Sequence, residues 1–390
     1  MRKAGRPEGN EQMNIKYAAT ILVFCVTALL SLGLVILFSS SMDKNGQNYP
    51  AMQAVWCGLG VVAAVLVAWI DYRHLKKISL VLYVAAVVLL VLVLIPGIGV
   101  KVGGARRWLH VAGQSLQPSE IAKIAVVILL AHYGERYQRF MAAPIRGLII
   151  PGILICIVLG LIFREPDWGT TLLLAAVGVV MLLVAGVRWR YLVVPAVAGC
   201  IAFAFVLLNN ETRLNRVKSW MDPEATKGGV GYQSWQGMVA LGSGGVRGLG
   251  LGDSRQKFGY LPEHETDFIF AIIGEELGLA GTIGVVVAFM VVMICGVRIG
   301  WNARDAFGML LATGLTFLIG LQAFINIGVV TGTLPNKGLP LPFISRGGSN
   351  LFLMLMCVGL LLSIARRAGD SRSTMPRSVD LEELPAPQTT

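Results

Sequence analysis

Long runs of Leu, Val, Ile, Ala and Gly alternate along the chain with short clusters of charged residues. Each run lasts about 18–25 residues, the length a helix needs to cross a hydrocarbon core of ~30 Å. Ten such runs are read, at about 15–39, 51–70, 77–96, 118–133, 145–163, 168–186, 190–208, 267–297, 305–330 and 343–365. In lipid the backbone must satisfy its own hydrogen bonds, so each run predicts a helix. The fourth is the least apolar, being short and carrying Glu120 and Lys123. The expected fold is an all-α polytopic membrane protein of about ten transmembrane helices. One large extracytoplasmic loop, about 209–266, separates helices seven and eight. A tail of residues 1–14 precedes the membrane domain of 15–367. The polar, proline-containing segment 368–390 is expected to be a disordered tail.

Composition strengthens this reading. Hydrophobic residues make up 55% of the chain and charged residues 14%, against roughly 25% charged in soluble domains. Lys and Arg fix the orientation, because they collect at Arg2, Lys3, Arg6 and Lys16, at Arg73, Lys76 and Lys77, and at Arg366, Arg367, Arg372 and Arg377. By the positive-inside rule both termini are cytoplasmic. The net charge of +11 is then topological, aided by an anionic inner leaflet, and calls for no nucleic acid. The first apolar run is too long for a signal-peptide core and is expected to remain as an anchor. Six cysteines, Cys25, Cys57, Cys156, Cys200, Cys295 and Cys357, fall inside predicted spans without CxxC spacing and are read as packing residues.

Function in such a chain is expected where polar residues interrupt the apolar pattern, and four places do so. The outer loop 97–118 carries Arg106 and Arg107 beside Trp108, against the orientation rule. Paired guanidiniums suit phosphate by charge and geometry, although an interfacial Trp-Arg anchor explains them equally. That loop runs into Ser119, a candidate cap, and into Glu120 and Lys123, whose spacing also allows them to neutralise each other. The turn Arg164-Glu165-Pro166-Asp167-Trp168-Gly169-Thr170 reads as a break followed by an acidic helix cap. The large outer loop holds eight glycines between 231 and 252, with Arg247 among them and Lys257 beyond. It is no Walker loop, since GxxxxGK[ST] is absent. It ends at Asp267, either an N-cap shared with Thr266 or a reactive carboxylate at the mouth of a span. Glu275 and Glu276 follow at about 12–14 Å along a continuous helix, on other faces. The fourth place, 335–350, has three prolines and three glycines within fourteen residues, together with Lys337 and Arg346. Together these patches suggest an outward basic cavity with one carboxylate, suited to a phosphorylated lipid head group beside a general base.

At these residues the sequence resembles the SEDS family (shape, elongation, division, sporulation), the FtsW/RodA/SpoVE group of bacterial cell-wall proteins. The motifs occur in order over residues 15–367. They are GARRWL at 104–109, QPSEIAK at 117–123, PDWGT at 166–170, GYQ at 231–233, GSGG at 242–245, LPE..TDFIFA at 261–271, GEELG at 274–278 and LPLPFIS.GGS at 339–349. GARRWL and the lysine of Pro-Asn-Lys-Gly are more similar to the cell-division branch than to the elongation branch. Three positions depart from the family pattern: His264 is separated from Thr266 by Glu265, Arg346 replaces a usual Tyr, and Gly237 replaces a usual Ser.

The resemblance implies a peptidoglycan glycosyltransferase in the plasma membrane of a bacterium. It would polymerise lipid II, an undecaprenyl-pyrophosphate-linked substrate, on the outer face. It would work with a class B penicillin-binding protein and other divisome proteins. Asp267 takes the place of the family's essential acid, as general base for the acceptor hydroxyl. Substrate contacts are expected at Arg106, Arg107, Glu120, Lys123 and Gln233, and also at Ser243, Lys257, Glu263, Lys337 and Ser345. A divalent cation, Mg or Mn, is implied by the family alone, with no ligand set visible. A lipid II flippase is the alternative, needing no acidic catalyst. An ion-coupled transporter would instead use Glu275 and Glu276 near the midplane.

Overall fold

Every predicted apolar run is helical in the computed structural model, which describes residues 8–41, 49–102, 105–111, 114–209, 211–257 and 260–370. The chain opens with α1 (Glu8–Ser40), α2 (Tyr49–Trp69) and α3 (His74–Leu94). A small sheet of β1 (Gly99–Val102), β2 (Ala105–Val111) and β3 (Gln114–Leu116) follows. Then come α4 (Pro118–Arg136), α5 (Ile150–Arg164), α6 (Trp168–Val184) and α7 (Trp189–Leu208). The large loop contains α8 (Glu211–Met221) and α9 (Tyr232–Gly244), before α10 (Ile269–Trp301), α11 (Ala306–Val330) and α12 (Gly348–Asp370).

Seven of these helices are long and apolar enough to cross a membrane: α1, α2, α3, α5 with the turn from Ile145, α10, α11 and α12. Helix α6 and the Trp189–Ala202 part of α7 are apolar but shorter. Helix α4 differs for a physical reason. All its residues from Pro118 to Ala131 except Ile121 are buried, so its charges face protein rather than lipid. Around it, α4 packs on α3 and α11, α12 lies along α2, and α1 lies along α10. Large apolar side chains such as Phe24, Leu80, Val194 and Phe205 project outward, as a lipid-facing rim requires. At the end of the bundle holding the α2–α3 connection, Lys76 Nζ bonds Glu135 at 2.7 Å and Asp305 at 2.8 Å. Tyr72 also donates to Asp305 at 2.6 Å. One cluster thereby joins α3, α4 and α11.

Several expectations change. The fold is not purely α: segment 99–116 forms an antiparallel sheet in the order β1-β2-β3. Ser119 is no cap. Gln117 occupies the cap position with Pro118 next, and the Ser119 hydroxyl is buried without a partner. Among the cysteines only Cys295 and Cys357 are buried, whereas Cys156 and Cys200 lie exposed on the outer faces of α5 and α7. The proposed tail 1–14 overlaps α1 from Glu8, and α12 continues to Asp370. The rest of both tails, 1–7 and 371–390, lies outside the described residues.

Helix α10 is not continuous. Gly278 has φ 66° and ψ −161°, a conformation open to glycine alone. The break is filled by main chain from the large loop. Leu249 N donates to Glu275 O at 2.9 Å, Gly250 N to Glu276 O at 3.0 Å, and Leu279 N to Gly245 O at 3.0 Å. A Cβ on Gly278 would sit 2.3 Å from Gly248 N, so backbone meets backbone without side chains between.

Candidate active site

Asp267 lies in the turn just before α10. It does not cap that helix: Phe268 holds the cap position, and no side-chain cap bond is made. The turn is built on Glu263, whose carbonyl accepts from Thr266 N at 3.1 Å and Phe268 N at 3.3 Å. Glu263 has φ 52°, and Phe343 in the facing loop has φ 67°. Side chains are strained there, and such strain gathers at functional sites.

Three other segments close around this turn. Loop 335–341 brings Gly338 against the carboxylate, where a Cβ would lie 2.5 Å from Asp267 Oδ2. From α9, Gln233 donates to Pro262 O and accepts from Asn336, both at 3.1 Å, tying both loops together. From α11, Asn326 donates to Asp267 O at 2.8 Å and Leu339 O at 2.6 Å. Burial, then the charges of Glu263 and Asp167, push the Asp267 carboxyl up to about 7 against the lowering pull of Arg107. It is a half-buried group poised at neutral pH, as a general base requires.

Arg107 belongs to the same electrostatic group. It is held by main-chain carbonyls of the α5–α6 turn, with Nε on Glu165 O at 3.0 Å and Nη2 on Pro166 O at 2.6 Å. Asp167 in that turn is the cap its sequence suggested, accepting from Thr170 N at 3.2 Å and Thr170 Oγ1 at 2.9 Å. Glu165 is fully buried, and neither carboxylate oxygen has a hydrogen-bond partner. Burial, with the charge of Asp167 beside it, raises its pKa to about 8, so it is a neutral acid at pH 7. Lys337 is half-buried in the facing loop, and burial holds its ammonium below the ordinary range.

Beside this turn, Lys101, Arg106 and Arg164 line a cavity of about 420 Å³, with Leu94, Ala105 and Pro166 as its apolar wall. Lys101 and Arg106 are direct partners across the β1–β2 ladder. Like charges opposite each other destabilise a sheet, so the sheet holds this pair at a cost.

The remaining expected contacts are committed elsewhere. Lys123 is buried, bonded to Glu120 at 2.9 Å and to Gln322 Oε1 at 2.8 Å. Glu120 also accepts from Asn350 at 2.8 Å. The pair neutralises itself beneath loop 339–345 and presents no charge to the cavity. Lys257 is buried against Glu276 at 3.4 Å, and Glu276 also accepts from Ser39. Glu275 accepts from Ser254, Arg255 N and Gln256 N. These carboxylates anchor the large loop rather than line a path. Ser243 bonds only its own helix, at Ala240 O. Ser345 is buried, accepting from Leu341 N at 2.7 Å and donating to Thr266 O. Glu263 is exposed and bonded to Thr266 at 3.0 Å.

Gln322 and Asn326 went unnoticed in the sequence. Their signal was there: two amides four residues apart inside an apolar run, hence on one helix face. They carry the main-chain carbonyls of Pro340, Leu339 and Asp267. Among the described residues no three His, Cys, Asp or Glu side chains are grouped as metal ligands. Asp167 spends both oxygens on Thr170 and Gln117. The described residues therefore hold no three-ligand protein site for the divalent cation that the family implies.

Comparison with known proteins gives one consistent answer. The sequence model of the cell cycle protein family FtsW/RodA/SpoVE matches residues 19–369. A probable peptidoglycan glycosyltransferase FtsW of Trichlorobacter lovleyi is 38% identical over 351 residues, covering 88% of this chain and 92% of that protein. The stage V sporulation protein E of Bacillus subtilis is 39% identical over 352 residues, covering 89% and 96%. A chain from a solved peptidoglycan synthase complex superposes with a TM-score of 0.74 at 28% identity, covering 89% and 97%. The rod shape determining protein RodA of Thermus thermophilus gives 0.66 at 27%, covering 89% and 96%. The ordered motifs and the helical bundle thus have one common source, and the chain belongs to the FtsW/RodA/SpoVE family.

Proposed function

We propose that this protein is a peptidoglycan glycosyltransferase that polymerises lipid II at the outer face of a bacterial plasma membrane, in cell division. Seven long apolar helices carry it in the membrane. We assign α4, α6 and α7 as three further crossings, giving ten, with both termini cytoplasmic and the loop of α8 and α9 outside. The relatives named as FtsW glycosyltransferases support the activity. The likeness to one chain of a peptidoglycan synthase complex supports a penicillin-binding protein as partner.

One observation carries the mechanism: Asp267 is a half-buried carboxylate with no capping duty and a pKa of about 7. The hydroxyl of the acceptor sugar gives its proton to Asp267. Its oxygen forms a bond to the anomeric carbon of the donor, on the side opposite the leaving group. The bond from that carbon to the pyrophosphate oxygen breaks, and the lipid pyrophosphate leaves with the electron pair. Positioned proton removal contributes typically 10²–10⁴-fold. Charge developing on the pyrophosphate needs fixed cations, a role we assign to Lys101, Arg106 and Arg164 of the cavity, with Arg107 the cation whose charge reaches the base. Lys123 stands here in an ion pair with Glu120, so we do not assign it this step.

Purified protein given lipid II in detergent tests the reading. Glycan strands are expected, and Asp267→Ala should insert and melt like the parent protein yet make none. Lipid II left intact by the parent protein, or strands of normal yield from Asp267→Ala, overturns it.

A further inference from the structure

We propose that Asn326, Ser345 and Arg346 are positioning residues, forming a cradle that fixes the orientation of Asp267; this rests on Asp267 acting as the base. Three successive main-chain carbonyls precede and include that residue, and each is held by a different group. Arg346 N donates to Glu265 O at 2.9 Å. Ser345 Oγ donates to Thr266 O at 2.5 Å. Asn326 Nδ2 donates to Asp267 O at 2.8 Å. The peptide planes on both sides of Asp267 are thereby pinned, which fixes its φ and ψ and leaves only side-chain rotation. Gly338, packed against Oδ2, restricts that rotation in turn.

The cradle is itself braced. The Arg346 guanidinium bonds Glu265 Oε2 at 2.8 Å and lies 3.3 Å from the centre of the Tyr49 ring. Glu265 is 3% exposed, so the ion pair is shielded from water on one side, where such bonds are strong. Arg346 thus joins the start of α2, the turn before α10 and the entry to α12. Ser345 also accepts from Leu341 N, and Asn326 also holds Leu339 O. Both therefore shape loop 335–345 while they hold the turn. Because the loop presents Gly338 to the carboxylate, the same three residues set both sides of the base. A proton acceptor displaced by about 1 Å loses about 10²-fold in rate, so bonds of this kind bear directly on turnover.

The test is a set of variants of the full chain, assayed for lipid II polymerisation in detergent with kcat and KM resolved. Asn326→Ala and Ser345→Ala are each expected to lower kcat about tenfold or more, with KM for lipid II within about twofold, because they remove side-chain bonds of the cradle and leave the substrate pocket alone. Arg346→Ala keeps its main-chain bond to Glu265 O and loses only the brace on the Glu265 carboxylate, so its loss should be smaller. Arg346→Lys keeps the charge on Glu265 and should recover most of the rate, so a folded, active comparison exists even where the alanine variant is unstable. Combined with Asp267→Asn, which keeps a measurable residual rate, Asn326→Ala should lower that rate no further, since residues acting through one group are not additive. Full turnover by Asn326→Ala and Ser345→Ala overturns the cradle, and so does a loss that adds in full to that of Asp267→Asn. Normal polymerisation by Asp267→Ala on its own overturns the base assignment instead, and that result is distinct from either.

Discussion

Glu275 and Asp267 stand eight residues apart, yet the protein treats their carboxylates in opposite ways. Glu275 accepts from one hydroxyl and two main-chain N–H groups. Glu276 beside it meets Ser39 and Lys257. Asp267 accepts no hydrogen bond at its carboxylate from the described residues, although its main chain is held on every side. Buried charge is retained in proteins when it is paired and bonded. Glu275 follows that rule in full and Glu276 through one oxygen, its Oε2 having no partner, and both are structural. Asp267 departs from it and is where reactivity is to be sought. The contrast separates architecture from chemistry better than acidity or position does.

The comparison breaks most sharply at the carboxylates themselves. Asp267→Asn should cost about 10²–10⁴-fold in polymerisation and leave the amount of folded protein unchanged, as size-exclusion profiles would report. Lys257→Met should do the reverse. It strands Glu276 without its cation, a loss of about 3–5 kcal/mol visible as poor yield and a lowered Tm. Adding Glu276→Gln should restore much of the Tm, and failure to do so would remove Glu276 from the structural class. A smaller effect is expected at the cationic cavity. Arg106→Gln with Arg164→Gln should raise KM for lipid II roughly tenfold, at about 0.7 kcal/mol for each solvent-screened ion pair lost, while Tm stays level or rises.

The finest test is in pH. Because the Asp267 carboxyl is raised from 3.8 to about 7, polymerisation should fall as pH drops below about 7 and the base is protonated. The same shift has a cost in stability. A carboxyl whose pKa rises on folding contributes fully below its unfolded value, and its contribution is lost as pH climbs through the folded value. Asp267→Asn should therefore melt above the parent protein at pH 8 and level with it near pH 4. Glu165→Gln should behave the same way, since Glu165 is raised from 4.5 to about 8. Parallel melting curves at both pH values would show that neither group is shifted.

Much of the fold was legible because lipid leaves a chain few choices. Each apolar run had to be helical, and each became so. The seam at Gly278 was not legible, because Glu275, Glu276 and Gly278 mark an interruption without saying that the helix breaks there. Only the main chain of 245–250 reveals it, and that contact is distant in sequence. The sheet of 99–116 was missed for a similar reason, as cross-strand pairing carries no local signature in a glycine-rich loop. At the site, Asp267, Arg106 and Arg107 were found because they interrupt a pattern. Lys123 interrupts one too, and its three-residue spacing from Glu120 already offered the pairing that the structure makes. Lys257 pairs with Glu276 across the loop, and no local spacing in the sequence names that partner. Gln322 and Asn326, uncharged, made a fainter interruption and were passed over.

The glycine contact between Gly248 and Gly278 has a consequence for how the protein is assembled. Without segment 245–250 in place, the Glu275 and Glu276 carbonyls would lose their main-chain partners. The loop segment is therefore a missing piece of a long apolar helix rather than an appendage. Placing it and seating the second part of the bundle are one event, and swapping this loop between relatives should fail unless the helix it completes is moved with it.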